Sequence, residues 1–212
     1  MMKSIKYTAA LASLIIAATP AIAEDGFYLG GGLSYTTSKG TNTTVISLDT
    51  EDAFASGVLI GGYRKQVGNN FWATELQLEL PTSNDFDIDI AGGTFGCSPA
   101  ITPYVCELDT VVRLRGVYGG EIAEGLELYG TGGLVYVSGD AAVSPVTTGS
   151  FSSIGLSLGL GVQKTISQSL KVRGEINHDI ASRAISDTNA VAGCCDYSIR
   201  QTSLQLSILK SF

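Results

Sequence analysis

Ser152–Lys164 reads SSIGLSLGLGVQK. Ile154, Leu156, Leu158, Leu160 and Val162 fall on one parity; Ser153, Gly155, Ser157, Gly159, Gly161 and Gln163 fall on the other. A period of two held this long predicts an extended strand with one greasy face and one small or polar face. Its length matters as much as its alternation. A tilted strand crosses a bilayer in about 9–11 residues, whereas an ordinary strand runs about 5–6. Several such strands, joined alternately by short turns and long polar loops, describe a membrane barrel.

Seven further segments carry the pattern. Gly26–Thr36 sets Phe27, Leu29, Leu33 and Tyr35 against Tyr28, Gly30, Gly32 and Ser34. Ala53–Gln66 has apolar residues on both parities and is read with Ala55, Leu59 and Tyr63 outward and Arg64 inward. Phe71–Leu80 alternates Trp72, Thr74, Leu76, Leu78 and Leu80 with Glu75, Gln77 and Glu79. Leu108–Tyr118 sets Leu108, Val112, Leu114 and Tyr118 against Asp109, Arg113 and Arg115. Leu126–Ser138 places Leu126, Leu128, Leu134 and Tyr136 opposite Glu127, Tyr129 and Thr131. Leu170–Ala181 opposes Leu170, Val172, Ile176 and Ile180 to Lys171, Arg173, Glu175, Asn177 and Asp179, and Ser198–Phe212 closes the series.

The connections Thr37–Asp52, Pro81–Glu107, Gly139–Phe151 and Ser182–Tyr197 are long and polar, whereas Val67–Asn70, Gly119–Gly125 and Thr165–Ser169 are short. Long and short alternate strictly, with both termini on the side of the short ones. The expectation is an all-β, eight-stranded antiparallel up-and-down transmembrane β-barrel, its turns periplasmic and its loops outside. An open sandwich has no reason to segregate loop lengths in this way.

The chain opens MMKSIKYTAALASLIIAATPAIA: two lysines, an apolar run and a small-residue ending. That predicts a signal peptide over 1–23, cleaved before Glu24, and one barrel domain over 24–212. Cleavage removes Lys3 and Lys6 and no acid, taking the net charge from −7 to −9. Such an acid balance argues against a nucleic-acid partner, which wants a basic face.

The stretches DGFYLGGGLSY, LELYGTGGLVYVSG and LKVRGEINHDI, with an alternating last strand ending in Phe212, resemble the eight-stranded outer-membrane proteins of Gram-negative bacteria. These are the OmpA/OmpX-like and opacity-type porin-family group. The resemblance spans the mature chain and rests on patterns rather than on a catalytic signature. It implies residence in the outer membrane of a Gram-negative bacterium, contact with its lipid and lipopolysaccharide, and a monomer. Phe212 resembles the signal read by the barrel-assembly machinery. Lys210 departs from the usual apolar choice near that end and is expected to snorkel to the headgroups.

Four groups of residues bear on function. Glu75, Glu79, Arg113, Arg115, Glu127, Lys171, Arg173 and Glu175 point inward, where a narrow lumen brings side chains together. They form either a paired, plugging polar core or a gated ion path. Inward Gly155, Gly159 and Gly161 leave space for neighbours such as Tyr129, or for water. Cys97, Cys106, Cys194 and Cys195 lie on long connections and are disulfide candidates in an oxidising compartment, with three connectivities open. No His accompanies them at zinc spacing, so no metal is expected there. Asp85, Asp87 and Asp89 suggest either a divalent-cation site or a solvated rim, but Ile90 and Gly96 stand where an EF-hand loop requires Gly and Glu.

His178, the single histidine, faces lipid and is read as an interface residue. Ser182 is too distant in sequence for the histidine–serine spacing of lipid A deacylases. The glycine runs make no nucleotide site, since no strand leads into a helix. Phe27, Tyr35, Trp72, Tyr118, Tyr136 and Phe212 are expected at the two interfaces. The function expected is non-enzymatic: envelope structure, with loops presented to lipopolysaccharide, host surfaces or other ligands, and no cofactor. A small diffusion pore and a lipid A-modifying enzyme are the rivals.

Overall fold

Three two-residue turns, Gly68–Asn69, Glu124–Gly125 and Gln168–Ser169, reverse the chain at one end of the molecule. Gly68 and Gly125 sit at φ 62° and 67°, a left-handed conformation that glycine adopts without a Cβ penalty. The computed structural model describes residues 25–42, 49–81, 85–88, 104–143, 147–186 and 197–212. Its strands are β1 (Gly26–Asn42), β2 (Asp49–Val67), β3 (Asn70–Pro81), β4 (Asp85–Ile88), β5 (Tyr104–Ala123), β6 (Leu126–Val143), β7 (Thr147–Ser167), β8 (Leu170–Ser186) and β9 (Tyr197–Ser211).

Each strand except the short β4 pairs antiparallel with two neighbours. β1 bonds to both β2 and β9, and β3 bonds to β5, so the sheet closes on itself as an eight-stranded barrel. Four-residue β4 continues the β3 side of the ladder along the upper part of β5. Phe212 N donates to Phe27 O at 3.0 Å, pinning the last residue to the start of β1.

The register fixes the shape. Partners followed around the ring run Gly30, Ile60, Gln77, Arg113, Val135, Gly155, Ala181, Ile199 and return to β1 at Gly40, ten residues beyond the start. Ten residues at about 3.3 Å against eight strand gaps at about 4.8 Å give a tilt of about 41°, within the usual range for barrels. One residue then rises about 2.5 Å along the axis, and an apolar band about 25 Å tall takes about ten residues. Strands of 17 to 21 residues, such as β1 and β7, therefore stand well beyond the band at the loop end.

Alternation decides the rest. Leu156, Leu158 and Leu160 are more than 60% exposed, facing lipid, while Ser153, Ser157 and Gln163 are buried in the lumen. β2 resolves as expected, with Ala55, Leu59 and Tyr63 outward and Val58 and Ile60 inside. Leu108 was expected outward with Val112 and is 2% exposed. A register shift between Leu108 and Thr110 inserts one residue, which turns Leu108 inward and Asp109 out.

The connections are shorter than expected. β1 continues to Asn42 and β2 starts at Asp49, inside the expected Thr37–Asp52 loop. β6 and β7 come within three residues of each other inside Gly139–Phe151, and β8 runs on to Ser186. β5 extends through Gly119 to Ala123 and begins at Tyr104, so Cys106 lies on a strand opposite Phe86 and Ala141. Beyond the lipid both faces of a strand meet water, and polar residues there no longer alternate with apolar ones. Composition then cannot separate strand from loop.

Candidate functional site

The inward faces of β2, β3, β5, β6 and β8 carry the charges, and the tilt brings them together in three levels. In the middle level Arg115 stands between two carboxylates. Its Nε and Nη2 donate to Glu75 Oε2 at 3.0 and 2.9 Å, while Nη1 donates to Glu175 Oε1 and, at 2.9 Å, to Asn177 Oδ1. Arg173 Nη1 reaches Glu75 Oε1 at 2.5 Å, and its other nitrogens donate to Gln163 Oε1 at 2.9 and 3.1 Å. The Tyr28 hydroxyl donates to Glu75, and the Tyr129 hydroxyl to Glu175 Oε2 at 2.6 Å. Arg173 also lies over the Tyr129 ring, 4.7 Å from its centroid.

Nearer the loop end Arg113 holds two acids. Nη1 donates to Glu79 Oε2 at 2.5 Å, and Nη2 and Nε donate to Asp179 Oδ2 at 2.6 and 3.0 Å. Glu79 Oε1 accepts from Ser34 at 2.6 Å and Thr36 at 3.0 Å. At the turn end Glu127 accepts from Arg64 at 2.7 and 2.9 Å, Lys171 at 2.9 Å and Gln163 at 2.5 Å. Arg64 itself lies 3.8 Å over the Phe71 ring.

Five acids (Glu75, Glu79, Glu127, Glu175, Asp179) thus meet five bases (Arg64, Arg113, Arg115, Arg173, Lys171), and the set is neutral. The side chains of the two upper levels are buried. Isolated, any of these ions would be costly in a low-dielectric interior; paired and multiply hydrogen-bonded, they are tolerated. Apolar clusters flank them. Tyr28, Phe71, Ala73, Val117, Tyr129 and Leu209 pack toward the turn end, and Leu108, Val111, Val135, Val137 and Ala181 toward the loop end. Chemically the arrangement ties the strands to one another across the lumen.

All eight inward residues singled out by parity enter this network. Asp179 and Arg64 have inward parity too, but only the stagger of the ring shows which charges share a level. Tyr28 and Tyr129 also fill the lumen, and glycines admit them. A Cβ on Gly62 would lie 2.5 Å from the Tyr28 hydroxyl, and one on Gly161 would meet the Tyr129 hydroxyl. Gly155 serves differently, since its Cβ would strike the β8 backbone at Ile180 and Ala181.

Outside, Phe27, Tyr35, Trp72, Tyr118 and Tyr136 are exposed to lipid, and Phe212 is half-buried beneath Lys210, whose Nζ lies 5.6 Å from the ring. Phe27 stacks edge-on against Tyr63 at 5.1 Å. Phe27, Trp72, Tyr118 and Phe212 ring the turn end. Tyr35 lies eight residues above Phe27 on β1, about 20 Å along the axis. That separation suits the two interfaces of one membrane. His178 faces lipid with Nδ1 2.9 Å from Thr202 Oγ1. Asp85 and Asp87 lie on β4. Cys97, Cys194, Cys195 and Asp89 fall outside the described residues, as do the side chains of Cys106 and Ser182.

The family described as the outer membrane protein β-barrel domain matches residues 7–209. No curated protein matches the sequence. Among solved structures, Neisserial surface protein A is 11% identical with a TM-score of 0.54, over 88% of this chain and 97% of that one. The outer membrane protein OprG from Pseudomonas aeruginosa is 13% identical with a TM-score of 0.55, over 88% of this chain and 96% of that one. At such identities the likeness is one of fold. With its greasy exterior and charge-filled bore, the chain belongs to the outer membrane protein β-barrel family, and its place is the outer membrane.

Proposed function

We propose that the protein is a non-enzymatic barrel of the Gram-negative envelope, closed to solutes, that braces the membrane and presents its loop end to lipopolysaccharide, host surfaces or other ligands. On this reading residues 1–23 are removed on export, Phe212 is the handle for barrel assembly, and the folded protein is a monomer. The neutral set of five acids and five bases carries the proposal. A conducting bore would require several buried ion pairs to part at once, each break leaving an uncompensated charge.

Single-channel recording in planar bilayers tests it. Silence is expected; reproducible open steps would refute the closed bore and favour a diffusion pore. The enzyme rival rests on His178, whose ring nitrogen meets a threonine hydroxyl. Unchanged lipid A acylation on overexpression, and again in His178→Ala, is the expected result. A change that His178→Ala abolishes would establish the enzyme instead.

A further inference from the structure

β9 brings no charge to the lumen. Its inward residues run Ile199, Gln201, Ser203, Gln205, Ser207 and Leu209, four polar side chains between two apolar ones. Ile199 packs against the loop-end apolar cluster, and Leu209 belongs to the turn-end one. The four polar residues are each 1% exposed. Each also keeps one buried atom that meets no hydrogen-bonding group among the described residues: Gln201 Oε1, Ser203 Oγ, Gln205 Nε2 and Ser207 Oγ. Buried polar groups are as a rule hydrogen-bonded, and four in a row on one strand call for a ligand.

Two neighbours across the lumen supply the complement. Gln77 Nε2 donates to Gln205 Oε1 at 2.8 Å, which leaves an acceptor, Gln77 Oε1, and a donor, Gln205 Nε2, on one pair of amides. Asn177, the register partner of Ser203, gives Oδ1 to Arg115 and holds Nδ2 in reserve. We propose that this face binds internal water, one molecule bridging Gln77 and Gln205 and another Asn177 and Ser203, sealed in by the two apolar clusters. The mix of atoms selects the ligand. A cation would satisfy the oxygens alone, and an anion the N–H and O–H groups alone. Five acids already balance five bases in the lumen, so either ion would add an uncompensated charge. Water both donates and accepts, carries no charge and is held by two to four polar partners. Short serines alternate with long glutamines along β9, which notches this wall at the levels concerned. Charge ties the other strands together, and amides and water tie β9 to them.

The test is oxygen-17 magnetic relaxation dispersion of water with the purified full barrel in detergent, which detects molecules held far longer than surface water. The natural protein should show a step worth about two or more long-lived waters. Q77M/Q205M replaces both amides by apolar side chains of similar length and should lower the step by about one water. S203V/S207V fills the space beside Asn177 and should lower it independently. T202V, on the exposed face of β9, should leave it unchanged, and heat-modifiable gel migration should show each variant folded. Proteoliposomes should shrink no faster than empty vesicles after an osmotic step. Three results would overturn the sealed water: no step in the natural protein, a step that both lumen variants leave intact, or shrinkage faster than in empty vesicles.

Discussion

Arg115→Met removes the cation that two buried acids share. Glu75 keeps Arg173 and the Tyr28 hydroxyl, but Glu175 keeps, among the described residues, a single side-chain hydrogen bond, from the Tyr129 hydroxyl, with the Arg173 charge nearby. Breaking a buried pair by removing one partner costs about 3–5 kcal/mol, or about two to nearly four decades in the folding constant. Glu175→Gln alone should cost less, since Arg115 still holds Glu75 through two nitrogens. The double variant removes one charge of each sign and should be more stable than the sum of its parts predicts, by about 1–3 kcal/mol. Urea titrations in micelles, followed by the emission of the single tryptophan, Trp72, give all four corners of the cycle. A cost for Arg115→Met below about 1 kcal/mol, or losses that add within about 0.5 kcal/mol, would show that these ions do not act as a set.

Three further outcomes follow from the same geometry. Gly161→Ala puts a methyl group against the Tyr129 hydroxyl and should cost about 1–3 kcal/mol in the same titration, with Tyr129→Phe recovering part of the loss; a neutral Gly161→Ala contradicts the packing. Leu160→Arg places a charge near the middle of the lipid-facing band and should cost about 2–4 kcal/mol. If that variant unfolds no more easily than the natural protein, the outward face is misassigned. For the cysteines, thiol titration of the unfolded, unreduced protein should find no free thiol, and two or more would leave at most one disulfide.

The outward and inward faces were legible because lipid enforces the alternation. Leu156, Leu158 and Leu160 admit one reading, and even β2, with Val58 and Ile60 competing against Leu59, resolves once Arg64 is placed inside. Where lipid stops, so does the signal. Thr147–Ser150 and Tyr104–Glu107 are strand in the structure, although their composition reads as loop. The bulge beside Asp109 was silent for another reason, since one inserted residue leaves no mark on composition and yet reverses the parity of Leu108. The charge network was legible as a set of inward residues but not as pairs. That Arg113 meets Asp179 rather than Glu175 depends on a ten-residue stagger around the ring, which no strand encodes alone.

With the lumen neutral, the acid surplus belongs to the two ends, and its division makes one more prediction. Among the described residues, Asp25, Glu121 and Glu124 at the turn end stand against Lys65, Lys164 and Lys210, which cancel them. At the loop end, among the described residues, Asp49, Glu51, Asp52, Asp85, Asp87, Glu107, Asp109 and Asp140 lie on strands, as do Lys39 and Arg200. Eight acids against two bases make a field that repels polyanions and draws cationic or cation-bridged partners, within a screening length of about 8–10 Å. The barrel in nanodiscs should therefore associate with a polylysine surface and lose that association as salt rises from about 0.05 to 0.5 M. It should not bind heparin. Heparin binding would mean that the loops gather their few cations into one face, and the partner sought at the loop end would then be an anion.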